Sequence, residues 1–336
     1  MLNTGSIPLA KTPPTAINTR CKICDGEDFK FLYEGKDRLH FLEGAFDLYR
    51  CKGCGLIFVY PFLDEEALSK FYPQDYSPYH QTDTSAGPAA KAAGKLGYYL
   101  RHPFRFFNAV FYSKILQQNR DIDLALGAKV LDVGCGDGSY LIGKKNKGYC
   151  CYGVDISQDA LEKIKQAVPD IHTFRGNVWD AGFSDDFFDQ INLCNVLEHV
   201  NAIDVFMTEI RRILKPGGTV RVQVPNSASS TFKIFGRCWL PLDVPRHVYV
   251  FSKKNLRLFF IKMGFRIDHC RTIENSYNVI GSSIYRINEV FHKRYAMPQL
   301  QKVWDSELLK VALFPYAFFV NLLHIGDNVE FILKKN

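Results

Sequence analysis

The chain has 336 residues, 47% hydrophobic and 23% charged, with 42 Lys and Arg against 35 Asp and Glu. At ~150 residues per domain this length suits two domains, or a large one with an appendage. It excludes a disordered tail protein and a disulfide-stapled mini-scaffold. The formal net charge of +7 is modest and does not form the dense stripe expected of a nucleic-acid binder.

Residues 1–20, rich in Thr, Pro and Asn, read as a flexible tail without the apolar core of a signal peptide. No uncharged apolar run reaches the ~18 residues of a membrane span. The ten cysteines are therefore expected to be reduced, pointing to the cytoplasm. Residues 21–80 carry four of those cysteines among aromatics and glycine turns, as in a small β-rich module. Within it, 64–72 suits a short helix with acidic residues in its first turn. Residues 81–128 hold a linker at 82–97 and a helix near 105–120. From Thr84 to Arg120 there are six Lys or Arg and no Asp or Glu.

From Lys129 to the end the pattern alternates. Strand-length apolar runs KVLDVG, CYGVDI, IHTFRG, FDQINLCNV and TVRVQVPN are separated by helical segments. Such alternation predicts an α/β, doubly wound, mostly parallel sheet covered on both faces. The strand FRIDHCRTI follows, then a long insertion over 274–326, then a last strand, DNVEFILKK.

Cys21 and Cys24 form one C-x2-C pair, Cys51 and Cys54 another, with 26 residues between the pairs. Each pair can wrap two thiolates around one ion, and together they complete a tetrahedral four-sulfur site. Zinc in a structural role is favoured, since four protein ligands leave no position open for chemistry; iron is the alternative metal. Gly26 and Gly55 stand where tight turns bring backbone N–H groups toward sulfur.

The run Val130-Leu-Asp-Val-Gly-Cys-Gly-Asp-Gly-Ser139 leads a buried strand through glycines 134, 136 and 138 into a helix. A dinucleotide loop would have glycine at 139, where this chain has serine. It would also avoid carboxylates such as Asp132 and Asp137 beside a pyrophosphate. Negative charge here suits a ligand bearing an ammonium and a sulfonium, such as S-adenosylmethionine. Asp155, ending the next strand, is placed to accept from both ribose hydroxyls. Asn177, after the third strand, can bond an adenine amino group.

The ordered motifs VLDVGCGDGSYL, GVDIS, CNVLEHV and LKPGGTVRVQVPN resemble those of class I S-adenosylmethionine-dependent methyltransferases over roughly 129–273 plus the last strand. The resemblance implies a seven-stranded Rossmann-like sheet with an antiparallel final strand. It also implies a cofactor across the strands' carboxyl ends. Asp132, Gly134, Cys135 and Gly136 would surround its methionine part, and Asp155 with Ile156 its ribose. Asn177 and Val178 would flank the adenine, with Asn195 bordering the site. Asn177 departs from the aspartate of many relatives. Cysteine pairs ahead of such a domain resemble a bacterial subgroup of sugar, polysaccharide and natural-product methyltransferases.

In-line methyl transfer needs alignment, and a base where the acceptor is a hydroxyl or a carbon acid. His247 is the foremost candidate base, with Arg246 or Tyr249 orienting the acceptor, and His199 is its rival. Many such enzymes work by proximity alone. The expected acceptor is a small molecule or glycan. The aromatic insertion reads as a helical lid or dimer contact. With the basic segment 98–120 it offers a surface for a lipid-linked acceptor and peripheral membrane association. Two other readings are a catalytically silent scaffold and a nucleic-acid methyltransferase. Intact cofactor residues oppose the first; the absence of an N-P-P-Y-like motif after strand four opposes the second.

Overall fold

The computed structural model describes residues 19–72, 122, 124–274, 276–292 and 306–336. The expected linker at 82–97, the helix near 105–120 and the basic run lie outside these residues.

Strands β1 (Phe29–Gly35), β2 (Phe46–Cys51) and β3 (Ile57–Tyr60) form an antiparallel meander. Helix α1 (Glu65–Ser69) follows, its first turn capped by Asp64, whose side chain accepts from the Ala67 N–H. The larger sheet contains β4 (Lys129–Val133), β5 (Cys150–Asp155), β6 (His172–Arg175), β7 (Phe188–Cys194), β8 (Leu214–Pro225), β10 (Phe265–Ile273) and β11 (Asn328–Lys335). Its order is β10-β11-β8-β7-β4-β5-β6. Strands β4 to β8 run parallel, and β11 is antiparallel to both its neighbours. The predicted doubly wound architecture and the reversed last strand are both present.

The crossover helices are α2 (Ser139–Lys145), α3 (Gln158–Ala167) and α4 (Ile203–Ile213). In α4, Ile203, Phe206, Met207, Ile210 and Ile213 are buried, the helical repeat of a face packed on the sheet. Strands covered on both faces read as continuous apolar runs, which explains the full burial of Val130, Leu131, Ile191, Leu193, Val220 and Val222. Beyond β8 come α5 (Ser230–Phe235) and α6 (Lys253–Lys262). The insertion at 274–326 contains α7 (Ser276–Val290) and α8 (Glu307–Leu322). No described helix is long and apolar enough to cross a membrane.

The cysteine-bearing segment is built into the rest of the molecule. A two-residue strand, β9 (Tyr249–Val250), pairs with β3 and completes a sheet of order β1-β2-β3-β9. One core cluster joins Cys21, Tyr49 and Phe58 to Phe259 and Phe260; another joins Phe46, Leu48 and Ile57 to Trp239 and Leu242. Both faces of the small sheet are thereby covered. Arg246 pins the junction. Its guanidinium, fully buried, donates to Asp37 at 2.8 Å, Asp243 at 2.6 Å and the Phe71 carbonyl at 2.9 Å.

Candidate cofactor and acceptor site

The predicted cofactor residues stand at or just past the carboxyl ends of β4, β5, β6 and β7, neighbouring strands of the parallel part of the sheet. After β4 the chain turns through Gly134 at φ +66° and Gly138 at φ +74° before entering α2. A Cβ at Gly134 would lie 2.8 Å from a Val196 methyl, and one at Gly138 2.5 Å from Ile164. Both the turn and the close packing therefore require glycine. The Gly136 N–H donates to Asp155 at 2.9 Å, and the Ser157 N–H donates to the other Asp155 oxygen at 2.8 Å. These bonds tie the loop to β5. A carboxylate offers about four lone-pair sites, so each oxygen keeps capacity for one hydroxyl of a vicinal diol.

Asp132 is 4% exposed and accepts a 2.6 Å hydrogen bond from the Asn192 side chain. Burial pushes its carboxyl up to about 7. Asn192 in turn accepts from Arg221, which pairs with Glu330, and Arg271 pairs with the same glutamate. This polar ladder runs over β4, β7, β8, β11 and β10 and ends on Asp132. Of these residues only Asp132 stands out in the sequence, because the other members meet through sheet register. Burial also raises Asp155.

Past these strand ends, Ile156 is 56% exposed, Asn177 is half-buried and Val178 is buried. Cys135 is buried beneath the loop, and Asn195 is exposed, in a left-handed conformation at φ +55°.

His199 and His247 come together, with ring centroids 4.6 Å apart at 78°. Nδ1 of His247 faces the Pro241 carbonyl at 2.7 Å, and Nδ1 of His199 faces the Arg246 carbonyl at 3.0 Å and the Tyr72 hydroxyl at 2.9 Å. A carbonyl accepts only a proton-bearing nitrogen, so both rings carry Nδ1–H and present Nε2 as an acceptor. Burial lowers both, His199 to about 3, and keeps them neutral at neutral pH. Beside them, Glu198 is fully buried with both oxygens unpartnered among the described residues, and burial raises it to about 8. Ligand-capable atoms of Glu198, His199 and His247 all lie within 4.8 Å of one another. Arg246 and Tyr249 do not serve the acceptor as expected. The former is committed to Asp37 and Asp243, and the latter donates to the Asn201 carbonyl at 3.0 Å.

The four cysteines also converge. Sulfurs of Cys21 and Cys54 are 3.4 Å apart, and those of Cys24 and Cys51 3.5 Å. A tetrahedral zinc–sulfur site with bonds of ~2.3 Å places its sulfurs ~3.8 Å apart, so this donor set fits the ion with small adjustments. The two knuckles repeat one backbone design. Asp25 and Gly55 take left-handed conformations, and their N–H groups donate to the Cys21 and Cys51 carbonyls at 2.9 Å. The counterpart of Gly55 is thus Asp25, not Gly26.

A methyltransferase-domain family model matches residues 102–270, half of the chain. A demethylmenaquinone methyltransferase of Staphylococcus saprophyticus is 30% identical over 141 residues, 40% of this chain and 60% of that protein. A ubiquinone biosynthesis O-methyltransferase of Brucella ovis is 29% identical over 157 residues, 42% of this chain and 61% of that protein. The chain thus spans about three fifths of these curated relatives. A solved S-adenosylmethionine-dependent methyltransferase of Methanosarcina mazei aligns over 63% of this chain and 94% of its own, at 17% identity and a TM-score of 0.43. On the family match over 102–270, the chain belongs to the methyltransferase-domain family.

Proposed function

We propose that this protein is an S-adenosylmethionine-dependent methyltransferase acting on a small-molecule or glycan acceptor, of the sugar, polysaccharide or natural-product kind. The observation that carries the reading is the pair of buried carboxylates, Asp132 and Asp155, flanking a glycine turn whose Gly136 N–H is already bonded to Asp155. Such a cradle repels a pyrophosphate and attracts a cation. When bound, the cofactor supplies an activated methyl group on a sulfonium. The protein's own work is then to hold the donor, exclude water and align a nucleophile. His247 Nε2, or His199 Nε2 beside it, takes the acceptor proton where one must leave. The four-cysteine site holds a structural zinc ion. The division into a module over 21–80 and a methyltransferase domain over 129–336 is part of this reading. Exposed Phe319, Leu322 and Leu323 near the end of α8 support peripheral contact with a lipid surface.

Release of S-adenosylhomocysteine, measured against a panel of sugars, sugar nucleotides and glycan precursors, tests the proposal. Turnover with one acceptor class is expected. His247→Ala should lower kcat by roughly a hundredfold or more, the usual scale of general-base catalysis, and leave cofactor affinity unchanged. Cofactor binding without turnover on any acceptor would favour the silent-scaffold reading.

A further inference from the structure

A cavity of about 770 Å³ opens past the carboxyl end of β8, the parallel neighbour of β7, whose own carboxyl end leads to Glu198 and His199. Asn226, Ser227 and Ala228, which follow the carboxyl end of β8, form one wall. The second cysteine knuckle contributes Lys52, with Arg50 just ahead of it; α5 contributes Lys233; and the start of α6 contributes Lys253, Lys254 and Arg257. No carboxylate is among the described lining residues.

Three features suit this wall to an anion. Lys52 has a surface partner in Asp28, but the Arg50 Nε is buried without a hydrogen bond among the described residues. Lys253 and Lys254 occupy the first turn of a ten-residue helix that has no acidic residue there. That is the end where the helix dipole disfavours cations and favours anions. Finally, the Ser252 side chain caps Asn255, so the first-turn N–H groups of Lys253 and Lys254 remain available to a ligand. Cations gathered against both mutual repulsion and the dipole make sense where an anion relieves them. Their spread around the cavity fits a polyanion better than a single phosphate, and the volume falls within the ~300–1,000 Å³ of small-molecule sites.

We propose that this cleft holds the diphosphate of the methyl acceptor, which is therefore a diphosphate-activated molecule linked to a nucleoside or to a lipid. The inference rests on the acceptor reading above and narrows it. Calorimetry on the full metal-loaded chain, with uridine diphosphate and inorganic pyrophosphate as soluble probes, tests it directly. Co-sedimentation with phosphatidic-acid vesicles supplies the lipid arm. Binding should weaken as ionic strength rises. It should fall at least tenfold in Lys253→Glu/Lys254→Glu, and again in Lys233→Glu on the opposite wall, with S-adenosylmethionine affinity unchanged within twofold. Retention of the soluble probes would identify a nucleoside-linked acceptor, and of the vesicles alone a lipid-linked one; either supports the cleft. Binding of neither, or binding that survives both variants, overturns it. Diphosphate binding by a chain that ignores S-adenosylmethionine would sink the methyltransferase reading and leave the anion site standing.

Discussion

Asp132→Asn separates the charge at the crevice from its shape. In the free protein burial raises this carboxyl to about 7, against ~3.9 for an exposed aspartate. That difference is about 3 pH units, or ~4 kcal/mol as an order of magnitude. The folded chain keeps a proton that the unfolded chain releases, so this group's contribution to stability is present below pH ~4 and is lost as pH rises through 7. A cationic ligand has the opposite preference, since it favours the ionised form. Cofactor affinity should therefore rise by up to about tenfold per pH unit below 7, level off above it, and be accompanied by proton release near neutrality. The asparagine variant keeps an oxygen for the Asn192 donor but cannot ionise. It should bind S-adenosylmethionine roughly ten- to a hundredfold more weakly at pH 8, the ~1.5–3 kcal/mol of a charged hydrogen bond, with no pH dependence from this position. Calorimetry from pH 5.5 to 8.5, in buffers of differing ionisation enthalpy, measures all three effects. A flat wild-type profile together with unchanged variant affinity would refute the charge argument.

Glu198→Gln should remove a second pH dependence. The raised carboxyl stabilises the fold at low pH and loses that contribution as pH climbs through about 8, so the variant should melt higher than wild type at pH 9 and similarly at pH 5. Cys51→Ser should abolish stoichiometric zinc in elemental analysis and cost several kcal/mol in denaturant melts; full stability without metal would remove the four-thiolate site. Arg246→Met leaves Asp37 and Asp243 buried without their cation and should destabilise by roughly 3–5 kcal/mol in urea unfolding. A loss under 1 kcal/mol would mean the junction is held by apolar packing alone.

Much of the larger sheet was legible because its signal is local. A strand buried on both faces, such as β4 or β8, is an apolar run, and the glycines after β4 mark a turn that other residues cannot make. The cysteine pairs are legible for the same reason, each being four residues long. What escaped depends on pairing at a distance. Arg246 looked available for an acceptor because Asp37, its partner, lies 209 residues away in sequence. The Asn192–Arg221–Glu330 ladder exists only once β7, β8 and β11 are in register. Strand β9, two residues long, is too short to show a period and is defined by β3 alongside it. Forty-seven residues separate His199 from His247 in sequence, yet the fold makes them neighbours.

In the proposed function, Asp132 and Asp155 together favour a positively charged methyl donor. Titrating the purified chain with S-adenosylmethionine and with NAD in parallel tests it most directly. Micromolar binding of the first, lost in Asp155→Ala, with none of the second, is the predicted result. Binding of NAD by a chain that ignores S-adenosylmethionine would contradict it.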